Sequence, residues 1–373
     1  MPNLNLAPYL DVFPLVLVSF IFGLILTPIL RMIGLKFGFA TKGKSQIDPS
    51  TRGYETRLDD KTFSRLGEFA MLIPLLFLVW ININLTTQVF GIVFALVLVG
   101  FFGAMDSKYD LSEFIKLFVL IFSGTILIFT GTVIDINTIV SLQGFDFFIY
   151  NPLTESSLSL ASSLLTLAWV IVIPTALSYV GGVDGLSEGT SAIAILIFLL
   201  IGVRSGDSLT ITFAAVSLGG LLGLLPFNFY PKMIMSEHLI YGFLISILSI
   251  TSQAKISTAI LLLTIPLLDF IYVTGYRAKK YFIENGNKRF NFRLFLQYLG
   301  TPAKIHLHHR LMDLGLGHVQ ISLIQYLAYG VLGFIALIVS GLHLTIAILG
   351  SVIIIVLIFY YINYKIKKNN AGK

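Results

Sequence analysis

Three imidazoles and a guanidinium fall within the segment Lys304-Ile305-His306-Leu307-His308-His309-Arg310-Leu311, in a chain that is otherwise mostly hydrocarbon. Imidazole titrates near neutral pH and hydrogen-bonds through both ring nitrogens. His306, His308 and His309 with Arg310 therefore make a face where a lipid head group and a water-soluble substrate could meet. Acids stand at the margins of other apolar runs: Asp106 after Gly103-Ala104-Met105, Asp184 in the turn Gly182-Val183-Asp184-Gly185, and Glu237 beside His238 as a metal or phosphate pair. Asp269 lies inside an apolar run, where an acid costs several kcal/mol unless it faces a polar interior or has a partner. The rise from Asp269 to Arg277 is about 12 Å along one helix, so these two are not direct partners. Each group has a plainer alternative. The histidine run also suits a solvated loop that caps a helix, Asp106 a helix end at the water boundary, Asp184 an ordinary turn, and Asn228 a hydrogen bond to a broken helix end.

Membrane-crossing helices must position these groups. About 20 apolar residues cross the roughly 30 Å hydrocarbon layer, and the sequence predicts eleven spans, at residues 11–33, 66–83, 89–105, 112–133, 160–180, 191–203, 209–227, 239–251, 256–276, 319–339 and 344–361. With 56% apolar and 12% charged residues, the chain is expected to be an all-α integral membrane protein. The expected form is a bundle of about 10–11 transmembrane helices with a cytoplasmic active-site cleft, and soluble folds are excluded. The two shortest stretches, 191–203 and 239–251, must be extended by their flanks, tilt into the bundle, or stop short. No cysteine is present, which removes disulfides, thiolate metal sites and a cysteine nucleophile.

Of the 25 lysines and arginines, all but Arg204 and Lys255 fall on one side of this arrangement. That side is expected to be cytoplasmic, with the N-terminus outside, the C-terminus inside, and Lys365, Lys367 and Lys368 as an orientation anchor. The first span reads as a retained anchor. A net charge of +6 then faces anionic head groups and phosphate substrates. Residues 1–373 read as one polytopic domain without low-complexity linkers or an inverted-repeat transporter signature. Residues 134–159, with Gly144 and Pro152, suggest a short external hairpin or interfacial turn, and 277–318 reads as a long cytoplasmic loop.

The polar motifs occur in a fixed order. Ser64-Arg65-Leu66-Gly67-Glu68 is followed by Gly103-Ala104-Met105-Asp106-Ser107-Lys108 with Lys116, then by Gly182-Val183-Asp184-Gly185-Leu186-Ser187-Glu188-Gly189. Leu225-Pro226-Phe227-Asn228-Phe229 comes next, then Pro266-Leu267-Leu268-Asp269 with Arg277, and last the histidine run. This collinear set, spanning nearly the whole chain, resembles the polyprenyl-phosphate N-acetylhexosamine-1-phosphate transferases, glycosyltransferase family 4, which include the peptidoglycan-precursor translocase. The resemblance implies a magnesium-dependent transfer of N-acetylhexosamine-1-phosphate from a UDP-sugar to a polyprenyl phosphate such as undecaprenyl phosphate. UMP is released, and the setting is cell-envelope glycan biosynthesis at the inner (plasma) membrane. Manganese is an alternative cofactor, a homodimer is left open, and no nucleic acid is implied. The pattern His-x-His-His-Arg-Leu is more similar to the UDP-N-acetylglucosamine branch than to the translocase branch, whose triplet is contiguous.

Carried over by position, the resemblance implies that Asp106 acts near the lipid phosphate and that Asp184 and Glu237 are metal ligands. Asn228 is implied near nucleotide and metal, and His306, His308, His309 and Arg310 at the diphosphate or sugar. Lys116, Asp269 and Arg277 are implied as supporting polar groups near the head group. Two anions must meet in such a reaction, so oxygen ligands for a hard cation and nearby cationic donors are what its physics requires. The chain departs from the family pattern at Ser107, where a second acid is expected, at Ser178, where Asn is usual, and at Gly181, where the first Asp of the glycine-rich loop would stand. The metal stretch reads Met235-Ser236-Glu237-His238-Leu239-Ile240. These departures motivate a second reading, a non-catalytic membrane scaffold or lipid- or nucleotide-binding regulator. A third class is a transporter or flippase, which the clustering of polar motifs on one side disfavours.

Overall fold

Helices at the middle of the bundle are enclosed by protein, and those at its edge face outward. The computed structural model describes residues 7–42, 62–136, 147–229, 233–252, 256–286, 289–301 and 305–371. In chain order it forms α1 (Ala7–Lys36), the strands β1 (Ala40–Lys42) and β2 (Thr62–Ser64), α2 (Phe69–Asn82), α3 (Thr87–Tyr109) and α4 (Glu113–Phe129). The strands β3 (Phe148–Asn151) and β4 (Ser156–Ser159) come next, then α5 (Leu160–Ser178), α6 (Leu186–Ser205), α7 (Ser208–Leu224) and α8 (Leu239–Thr251). The chain continues as α9 (Ile256–Leu262), α10 (Thr264–Asn285), α11 (Phe292–Gly300), α12 (Leu307–Asp313), α13 (His318–Ile338) and α14 (Gly341–Ala371). In their most apolar windows α6 and α7 are 78% and 72% buried, against 22% for α1 and for α14, which places α6 and α7 at the centre.

Among the described residues, seven helices are long and apolar enough to cross a membrane, and α9 with α10 forms one further, bent candidate. With the shorter helices α2, α4 and α8, the elements follow the eleven predicted spans. Helix ends are fixed locally. The side chains of Thr86 and Ser159 accept from backbone N–H groups of α3 and α5, and Asp207 accepts from both Leu209 and Thr210 at the start of α7. At the α1–α7 contact small residues bring backbones together, since a β-carbon on Gly23 would lie 2.6 Å from the Gly220 carbonyl oxygen.

Of the alternatives for the stretch 191–203, extension by its flanks holds: it is the interior of a 20-residue helix, because Leu186, Ser187, Glu188 and Thr190 are buried and continue it. Two expectations are corrected. The stretch 256–276 is not one straight span: the chain bends by 74° between α9 and α10, with Pro266 in the first turn after the break. Residues 277–318 are largely helical, with α10 running on to Asn285 and α11 and α12 following. The suggested outer hairpin is present as the antiparallel pair β3–β4 with Pro152 beyond β3, and Gly144 lies outside the described residues.

Candidate active site

Residues 62–68 brace the segment that leads into α8. Strand β2 pairs with β1 on one side, while Ser64 bridges Ile234 on the other. Met235 N donates to Ser64 O at 2.8 Å and Gly67 N to Met235 O at 2.9 Å. This brace delivers Glu237, whose backbone N–H donates to Glu68 Oε2 at 3.1 Å. Glu68 is fully buried, and its Oε1 has no partner. Burial first, and then the charge of Asp106, push the Glu237 carboxyl up to about 7, while Arg65 and Lys116 pull it down.

Asp106 and Lys116 face each other across the α3–α4 turn. Lys116 Nζ lies 3.0 Å from Asp106 Oδ2, and Asp106 Oδ1 accepts from Leu111 N at 2.8 Å. Arg65 reaches the same turn through the Ser107 carbonyl oxygen at 3.4 Å. A narrow apolar crevice lined by Val99, Phe102, Ile115, Val119, Leu120 and Leu239 carries Asp106 and Lys116 in its wall. At the other end of α3, beside the β3–β4 hairpin, a larger open hollow is lined mainly by threonines and holds Glu155 as its acid.

The glycine-rich turn before α6 is tied to three other elements. Asn228, just past α7, accepts from Gly185 N at 3.0 Å through Oδ1 and donates from Nδ2 to Glu188 Oε1 at 2.8 Å. Tyr326 and Ser322 of α13 donate to the carbonyl oxygens of Gly185 and Asp184. His238 Nδ1 lies 3.8 Å from Glu188 Oε1. His308 packs against Gly182, and burial and its cationic neighbours hold its imidazole well below the ordinary pKa.

Asp269 organises the histidine run. Its Oδ2 accepts from His306 Nδ1 at 3.1 Å, and its Oδ1 accepts from Leu307 N at 2.9 Å and from Arg310 Nη2 at 3.2 Å. The Arg310 guanidinium lies over the rings of Tyr272 and Phe359. His306 and His308 are parallel with ring centres 5.6 Å apart, and His309 lies 4.3 Å from His308. Arg277 donates to Tyr179 Oη at 2.7 Å and to the Leu299 carbonyl at 2.6 Å, and Tyr179 meets the His306 ring edge-on. Asp269 and Arg277 are thus engaged with different partners, as the helix rise requires.

Comparison with known proteins places this geometry. The description Glycosyl transferase family 4 matches residues 89–253, a stretch that contains Asp106, Lys116, Asp184, Asn228 and Glu237. A probable undecaprenyl-phosphate N-acetylglucosaminyl 1-phosphate transferase of Bacillus subtilis is 29% identical over 330 residues, covering 86% of this chain and 81% of that protein. Over residues 89–253 this chain is similar to glycosyl transferase family 4. The chain is also similar to a decaprenyl-phosphate N-acetylglucosaminephosphotransferase of Mycobacterium leprae, 30% identical over 202 residues, which are 47% of each chain. A phospho-N-acetylmuramoyl-pentapeptide-transferase of Caldanaerobacter subterraneus subsp. tengcongensis is 28% identical over 166 residues, 43% of this chain and 48% of that one.

Several of the predicted groups lie near one another. Lys116 holds Asp106, the Asp106 charge reaches Glu237, and Glu237 is followed by His238, which packs on Gly181. Gly182 carries His308, and His306 is bound by Asp269. The acids do not fit a magnesium ion held by protein carboxylates alone. Among the described residues no three of His, Cys, Asp and Glu group as metal ligands, the Asp106 carboxylate already serves Lys116 and Leu111, and positions 107 and 181 carry no acid. Sequence reasoning named His238 only as a partner of Glu237, and it did not place Glu68, Glu188 or Tyr179 in the site. The signal that singled out Asp269, an acid beside or within apolar sequence, applies equally to Glu68 and Glu188.

Proposed function

We propose that this chain transfers N-acetylhexosamine-1-phosphate from a UDP-sugar to a polyprenyl phosphate with release of UMP, N-acetylglucosamine being the favoured sugar. The observation that carries this reading is the Asp106–Lys116 ion pair set in the wall of an apolar crevice. A crevice of hydrocarbon side chains suits an isoprenoid tail, and a lysine at its margin suits the phosphate that ends that tail.

The reaction joins an oxygen of the lipid phosphate to the sugar-bearing phosphorus of the donor and breaks the bond from that phosphorus to the bridging oxygen, which leaves on UMP. Lys116 offsets the repulsion between the two anions, and Asp106 orients Lys116 and keeps a carboxylate beside the nucleophile. Asn228 and Tyr326 hold the Gly182–Gly185 turn in place. Arg310 and His306, fixed by Asp269, present cationic and hydrogen-bonding groups from the opposite wall. Magnesium, with manganese as its alternative, belongs to this proposal as an added divalent cation, as do the inner-membrane setting, the cytoplasmic position of the site and an outward N-terminus.

Purified protein supplied with radiolabelled UDP-N-acetylglucosamine, undecaprenyl phosphate and a divalent cation is expected to form labelled lipid and UMP in equal amounts. Absence of labelled lipid above a His308→Ala control, across several UDP-sugars, would overturn the assignment.

A further inference from the structure

Gly181 and Gly182 lie between two imidazoles. A β-carbon added to Gly181 would overlap the Cδ2–Nε2 edge of the His238 ring, and one added to Gly182 would overlap Nε2 of His308. The rings arrive from different elements, His238 from the brace ahead of α8 and His308 from α12. The opposite edge of His238 faces Glu188, which Asn228 holds in place at 2.8 Å. Nδ1 of His238 lies 3.8 Å from Glu188 Oε1, a charge contact beyond hydrogen-bond reach, while the Cδ2–Nε2 edge of the ring packs on the turn. His308 Nε2 is buried with no partner, a state that a ligand oxygen would relieve.

Two imidazoles packed on one dipeptide that carries no side chain, and therefore no carboxylate, make a receptor for an anion with several oxygens. We propose that His238 is a substrate-contacting residue of this chain, pairing with His308 across Gly181–Gly182 to bind the second phosphate of a nucleoside diphosphate. The inference rests on the reading of the chain as a UDP-sugar transferase and adds to it the group that meets the diphosphate. Glycine at 181 is then a requirement set by the imidazole at 238, since any side chain there would take the ring's place.

The test is calorimetric titration of the purified full-length protein with UDP and with UMP, both in excess chelator so that protein donors alone are read. Wild-type protein is expected to bind UDP more tightly than UMP. His238→Leu, which fills the volume without a donor, is expected to weaken UDP by about 10-fold or more and UMP by less than about 2-fold. Gly181→Ala keeps His238 but displaces its ring and is expected to give the same selective loss, with the double variant no worse than either single one. UDP binding unchanged in His238→Leu, or UDP and UMP weakened equally, would overturn the role of His238 while leaving the transferase reading intact. Wild-type protein that binds neither nucleotide in chelator would overturn the role of His238, and the labelled-lipid assay with divalent cation then decides the transferase reading separately.

Discussion

Asp269 and His306 are joined at 3.1 Å although they lie 37 residues apart on separate elements. The same carboxylate also accepts from Leu307 N and from the Arg310 guanidinium, so one acid inside α10 fixes both the entry to α12 and the charge behind it. An acid buried to this degree is tolerated because every lone pair it directs inward meets a donor.

Replacing Asp269 by Leu leaves Arg310 buried without its counter-ion, and the expected cost is about 3–5 kcal/mol of stability. Urea or thermal unfolding in detergent reads this directly. Asp269→Asn removes the charge but keeps an acceptor, and turnover is expected to fall about 10- to 100-fold with a smaller loss of stability. Equal stability of the Leu variant and the wild type would contradict this account of the site.

Lys116→Met removes the cation beside Asp106 at the margin of the crevice. The Michaelis constant for polyprenyl phosphate is expected to rise about 10-fold or more, with that for the UDP-sugar changed far less. A purely structural role for the pair would instead move both constants together, and steady-state kinetics with each substrate varied separate the two outcomes.

Glu237 supplies a pH dependence with a definite sign. Its ordinary value is 4.5, and in the folded protein burial and the Asp106 charge push it up to about 7. Between these values the native state holds the proton that the unfolded chain has released, so the stability contributed by this group is full below about 4.5 and is lost as pH rises towards 7. The loss is on the order of 3 kcal/mol across that window. Glu237→Gln is expected to flatten this part of the stability profile measured by urea unfolding at successive pH values, and an unaltered slope would count against it.

Asn228 donates to Glu188 and accepts from Gly185 N. Asn228→Asp keeps the acceptor but sets a second carboxylate beside Glu188, so activity is expected to drop about 100-fold at neutral pH and to recover in part as the pH is lowered. Asn228→Ala is expected to lose activity without that recovery. The pH dependence of turnover in the two variants distinguishes them.

The helices were legible because a hydrocarbon layer imposes a minimum apolar length, and the ordered polar motifs stood out against it. The side chains that converge were legible mainly as residue types: Asp106, Lys116, Asn228, Asp269 and the histidines all meet neighbours at one end of the bundle. The partners were not legible. Nothing in the spacing says that Asp269 receives His306 and Arg310, because the 74° bend between α9 and α10 and the helical path through 277–318 decide that meeting in three dimensions. Nor does a lone glycine at 181 reveal the ring lying on it, since the contact joins segments 57 residues apart in numbering, about which local patterns say nothing. The same holds for Glu68, delivered to Glu237 by a two-stranded ribbon too short to leave a periodic signal.

Helix α8 has thirteen residues, nearly all enclosed by protein. Its length is about 20 Å, whereas the hydrocarbon layer measures about 30 Å, so if its far end reaches the opposite surface, Glu237 and His238 at its start sit about 10 Å beneath the plane of the nearer head groups. An isoprenoid substrate then keeps its tail in oil throughout turnover. The water-soluble partner would then be the one that has to reach that depth.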